Sequence, residues 1–138
     1  MQAKEFMAQV QRAEKELVSI SAKRRHYLDL MMSIGVKAIT SDKVSTQPSG
    51  SSKTETAAIG LIEMESQLAE KEREYTALVK KAEALIAKLS QEKFRQVLTF
   101  RYLCDWSWRS IRDELGYKDE KSVYRCHGFA LKELQKVM

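Results

Sequence analysis

Apolar residues along this chain run first in two long stripes and then in three short groups. From about Ala3 to Ile34, Val10, Leu17, Arg24 and Met31 alternate with Phe6, Ala13, Ile20, Tyr27 and Ile34 at steps of four and three. That is a heptad seam interrupted by one Arg, and it predicts a long helix in need of a partner helix. A second stripe, roughly Thr54 to Leu89, carries Leu61, Leu68, Tyr75, Ala82 and Leu89, with Met64, Leu78 and Leu85 beside them and Lys71 as the interruption. Between the two, Ser33 to Lys53 holds the only Pro and a run of small polar residues, which reads as a loop. The pattern predicts an antiparallel helical hairpin over residues 1–90 with a Ser/Thr-rich loop at 33–53. Each helix covers only one stripe of the other, so self-association into a homo-oligomer is expected, with a closed intramolecular pair as the plainer use of the same seams. Arg24 and Lys71 fit either use, because a long basic side chain at a seam edge can extend its head to water. The acids Glu63, Glu65, Glu70, Glu72 and Glu74 read as a solvated face with local pairing.

Residues 91–138 follow a different, shorter rhythm. A helix from about Gln91 to Leu103 carries Phe94, Val97, Leu98 and Tyr102 on one face. Ser107 is placed to cap a short helix whose Trp108, Ile111 and Leu115 lie three to four apart, and Gly116 is placed to stop it. Asp119 can cap a last helix by accepting a backbone N–H from Lys121 or Ser122, and Val123, Cys126, Ala130 and Leu134 recur along that helix at three and four. The expected fold is all-α: a long hairpin followed by a three-helix module with helix-turn-helix spacing.

This spacing makes double-stranded DNA the leading partner. If Val123, Cys126, Ala130 and Leu134 face inward, then Glu120, Lys121, Tyr124 and Arg125 face outward near the start of the last helix, where a recognition helix meets base edges. Lys121 and Arg125 can donate to guanine, Glu120 can accept from cytosine, and Tyr124 can touch a phosphate or a thymine methyl. Arg109, Arg112, Lys118 and Ser122 are placed for phosphates.

Composition changes this picture little. The chain has 138 residues, 43% hydrophobic and 31% charged, with a net charge of +5. The excess is uneven: residues 91–138 hold ten Lys or Arg against seven Asp or Glu (+3), whereas residues 54–90 hold five against seven (−2). No apolar run reaches the roughly 20 residues needed to span a bilayer, and the start of the chain is unlike a secretory signal, so no membrane partner and a cytoplasmic location are expected. Cys104, Cys126 and His127 lack metal-ligand spacing, and both cysteines read as free thiols. No catalytic constellation, phosphate loop or cofactor motif is present in the pattern, so no enzyme, metal or cofactor is expected. Trp108 shares a phase with Ile111 and is expected inside, with Trp106 as a partly exposed lid.

The segments Arg95 to Leu103 (RQVLTFRYL), Trp106 to Tyr117 (WSWRSIRDELGY) and Ser122 to Leu134 (SVYRCHGFALKEL) resemble region 4 of bacterial sigma factors and the related helix-turn-helix of prophage regulators. The whole chain resembles a family of phage and prophage proteins that join a helical N-terminal part, a Ser-rich loop and this module. ArpU- and RinA-type late-gene regulators are more distantly similar. The resemblance implies transcriptional regulation in a bacterial host, with RNA polymerase as a further partner. It implies the same base-reading set, Glu120, Lys121, Tyr124 and Arg125, although Tyr124 stands where sigma factors usually carry Arg. No region 2 stands ahead of the module in this sequence, so a small regulator is expected rather than a complete sigma factor. A phage DNA-packaging recognition factor, or a protein-interaction module that docks on polymerase, are the other functions such an arrangement serves.

Overall fold

A computed structural model describes residues 1–40 and 49–138, with side chains at 1–34 and 53–138. The elements are α1 (Ala3–Thr40), α2 (Ser49–Ala87), α3 (Glu92–Leu98) running on into a π-helical turn (Thr99–Leu103), α4 (Trp108–Leu115) and α5 (Glu120–Val137). The fold is all-α, as the periodicity predicts. Of the stretch 33–53 expected as a loop, 33–40 and 49–53 are helical, and 41–48 lie outside the described residues. The stretch from Ser33 to Ile39 contains no Pro and is mostly apolar, so the first helix can run on through it.

The chain forms two compact units, residues 1–14 with 74–138, and residues 15–73. In the first unit, Ala3, Phe6, Met7 and Val10 of α1 and Ala82, Ile86 and Leu89 at the end of α2 are buried in one core with Val97, Leu98, Tyr102, Ile111, Val123, Cys126, Ala130 and Leu134. Met7 stands off the seam but is fully buried. It widens the apolar stripe at this end of α1, so the helix covers α2 and the C-terminal helices at once. Two polar contacts fix the arrangement: the Ala3 backbone N–H donates to Gln135 Oε1 (2.6 Å), and Gln11 Nε2 donates to the Arg101 carbonyl (3.2 Å).

Within residues 15–73 the two helices pair along the seams. Ile20, Ala57 and Met64 are buried, with Leu17, Tyr27, Leu61 and Leu68 half-buried. Each basic interruption meets an acid of the opposite helix: Arg24 Nη2 lies 3.3 Å from Glu65 Oε1, and Lys71 Nζ lies 3.2 Å from Glu16 Oε2. Glu65 is thus paired across the helices and not locally. Such half-exposed pairs contribute under about 1 kcal/mol each, and they serve register more than stability. Gly60 is set by packing, because the Tyr27 ring stands 2.6 Å from where its Cβ would be.

Between α2 and α4 the backbone departs from simple α-helix. Arg95 Nη1 donates to the Leu89 carbonyl, which closes the C-terminal end of the second long helix. The expected single helix over 91–103 changes pitch at Thr99, where the Cys104 N–H bonds the Thr99 carbonyl five residues back (3.0 Å). The wider turn brings Val97 and Tyr102, five apart, both into the core. Asp105 then takes a left-handed conformation (φ 56°), which a short Asp side chain tolerates and which ends the helix. Trp106 follows, its N–H on the Phe100 carbonyl (2.9 Å) and its ring stacked on Phe100 at 4.3 Å.

Because α1 supplies part of the core, Phe6→Ala is expected to lower stability by about 3–5 kcal/mol in urea unfolding followed by circular dichroism, although Phe6 lies far in sequence from the C-terminal helices. A loss of under about 1 kcal/mol would show that α1 is not part of that core.

Candidate nucleic-acid interface

Two caps and one glycine build the turn between α4 and α5. Ser107 Oγ accepts the Ser110 N–H (3.2 Å) and starts α4. Gly116 adopts φ 76° and ψ 24°, the left-handed conformation that ends it, and the Tyr117 N–H returns to the Arg112 carbonyl (3.1 Å). Asp119 Oδ1 accepts both the backbone N–H and the hydroxyl of Ser122, each at 2.9 Å. Those two donors, with Lys121 and Arg125 nearby, hold the Asp119 carboxyl below the usual carboxylate range. The capping roles expected of Ser107, Gly116 and Asp119 are all observed.

The phase of α5 follows from its core. Val123, Cys126, Ala130 and Leu134 are buried, while Lys121, Tyr124 and Arg125 are exposed at the start of the helix. Glu120 is half-buried, and its Oε2 accepts the Tyr124 hydroxyl (3.2 Å). Of the residues expected at phosphates, Arg109 and Lys118 are exposed. Arg112 donates through Nε and Nη2 to Asp113 Oδ1 (3.0 and 2.9 Å), and the Ser122 hydroxyl is committed to Asp119. Trp108 and Leu115, expected inside, are partly buried at the edge of the core. Both cysteines are free thiols, Cys104 exposed and Cys126 buried.

Periodicity alone did not single out two further features. The basic face of α5 continues beyond Arg125 through exposed Lys132 and Lys136, at steps of seven and four that keep them on one side of the helix. An aromatic cluster supports the first turns of that face from beneath. Trp108 stands edge-on to Tyr124 (5.1 Å between centroids) and to His127 (4.9 Å), and the Arg101 guanidinium lies 4.3 Å from the Trp108 ring centre. Arg101 Nη1 also donates to the Trp106 carbonyl (3.0 Å), and the Tyr102 hydroxyl shares a 2.7 Å hydrogen bond with His127 Nε2. The adjacency of Cys126 and His127 in sequence gave no sign of this, because the partners come from the π-helical turn.

Burial, reinforced by the positive charges of Arg101 and Lys4, pushes the His127 pKa down to about 4 from an ordinary 6.5. The unfolded chain therefore takes up a proton near pH 6.5 that the folded chain resists until about pH 4. The stability from neutral His127 is complete above pH 6.5 and drains away as pH falls through that window. Allowing for the partly solvated ring, wild type is expected to lose about 1 kcal/mol more than His127→Gln between pH 7 and pH 4.5 in urea titrations. Parallel losses in the two proteins would remove the assignment.

No protein-family model, characterised protein or solved structure matches the chain.

Proposed function

We propose that this chain is a duplex-DNA-binding transcriptional regulator of the phage and prophage kind, with α5 as the helix that enters a major groove. The observation that carries the reading is the outward face of α5 beyond a twice-capped turn: Lys121, Tyr124 and Arg125 are exposed where Val123 and Cys126 are buried. Lys121 and Arg125 are the principal base readers, since both are exposed whereas Glu120 is half-buried and its Oε2 already accepts the Tyr124 hydroxyl. Arg109 and Lys118 meet phosphates, and Arg112 joins them by exchanging its exposed Asp113 pair, an exchange that costs little. One small module binds weakly, and linking two copies raises affinity and makes the site a repeat. Exposed Val18, Met32, Ile59 and Ile62 in residues 15–73 support self-association as the means of linking them. No helix among the described residues is long and apolar enough to cross a membrane. In this reading the protein works in the cytoplasm of the host, with RNA polymerase as a second partner.

The test is selection of bound fragments from a random-sequence duplex pool by the purified chain. One enriched motif is expected. Arg125→Ala should bind the enriched duplex about 10- to 100-fold more weakly and accept substitutions at one position of it. Arg112→Ala should weaken enriched and scrambled duplexes by the same smaller factor. Equal losses for both variants on both duplexes would abolish this division of roles. No enrichment at moderate salt, together with retained polymerase binding, would make the chain a protein-interaction module instead.

A further inference from the structure

Two glycines sit inside helices in described surroundings, and they contrast. A glycine in a helix interior costs about 1 kcal/mol relative to Ala, so each needs a reason. At Gly60 the reason is internal, because the Tyr27 ring occupies the space a Cβ would take. At Gly128 no internal reason exists: a Cβ built there meets nothing within 4 Å, and its backbone is not left-handed, Gly116 being the positive-φ glycine among the described residues. Gly128 lies in the middle of α5, one turn beyond Tyr124 and Arg125 and one turn before Lys132. It is therefore a half-buried stretch of helix backbone, with open space where a Cβ would stand, within the basic outward face.

We infer that Gly128 is the point of closest approach between α5 and bound duplex DNA, kept free of a side chain so that the sugar-phosphate edge of the groove can reach the helix backbone. This rests on the DNA-binding reading and adds a steric determinant to it. A side chain at 128 would hold the duplex away by the width of its atoms, so Lys121 and Arg125 on one side and Lys132 on the other could not engage together. With Gly the three basic side chains flank a position where a Cβ would meet nothing within 4 Å. Glycine's stability cost is tolerated because the site it opens is used.

The inference is tested with full-length Gly128→Ala and Gly128→Leu on the duplex enriched from the random pool, using thermal unfolding and fluorescence anisotropy. The Ala variant is expected to melt about 2–4 °C higher than wild type, since a favourable helix former enters open space. Its affinity should fall several-fold and that of the Leu variant about tenfold or more. If wild type binds and both variants bind equally well, the close approach is wrong while the DNA-binding reading stands. A lower melting temperature for Gly128→Ala would reveal an internal packing reason for the glycine and overturn the inference. If wild type itself binds no duplex, the functional reading falls and takes the inference with it.

Discussion

Burial of Phe6, Met7 and Val10 against both the end of α2 and the C-terminal helices is the contact on which the first unit depends. Three short helices have too little apolar surface to outweigh the entropy of ordering them, a general difficulty for small modules. Here α3, α4 and α5 do not stand alone. The first turns of α1 and the last turns of α2 close their core from outside, and Ala3 and Gln11 tie that cover to α5 and to the π-helical turn by hydrogen bonds. The turn itself depends on this cover: the Arg101 carbonyl finds its donor in Gln11.

Polar economy around the candidate interface follows from the same packing. The described core contains no buried polar or charged residue, and among the described residues no buried side-chain polar atom lacks a partner. Arg101 is the organising cation. It closes the turn through the Trp106 carbonyl, covers the Trp108 ring and, together with burial, keeps His127 neutral. Tyr124 then packs edge-on against Trp108, so one of the proposed DNA contacts is set by half-buried residues beneath it.

Much of this was legible in the sequence because it is local. Ser107, Gly116 and Asp119 act through neighbours two to four residues away, and residue type with spacing is enough to place them. The inward phase of α5 is likewise a property of one helix. What was hidden depends on partners distant in sequence. Periodicity tells which face of α1 is apolar but not what covers it, so Met7 and the joint core of residues 1–14 with 74–138 could not be anticipated. The π-helical turn and the left-handed Asp105 carry no strong local mark, since neither Gly nor Pro stands there. Glu120 and Ser122 look available from helix phase alone, yet Tyr124 and Asp119 engage them, pairings that the i and i+4 spacing and the cap position allow.

The two indoles on either side of Ser107 have unequal surroundings. Trp106 lies flat on Phe100 with only 8° between the rings, whereas Trp108 is surrounded by a guanidinium, an imidazole and a phenol. An excited indole responds to nearby charge and to quenchers, so the emission of Trp108 is coupled to whatever occupies Tyr124 above it and to the protonation of His127 beside it. The chain thus carries its own chromophore directly beneath the surface proposed to meet DNA, with a second indole stacked on Phe100 as the internal reference.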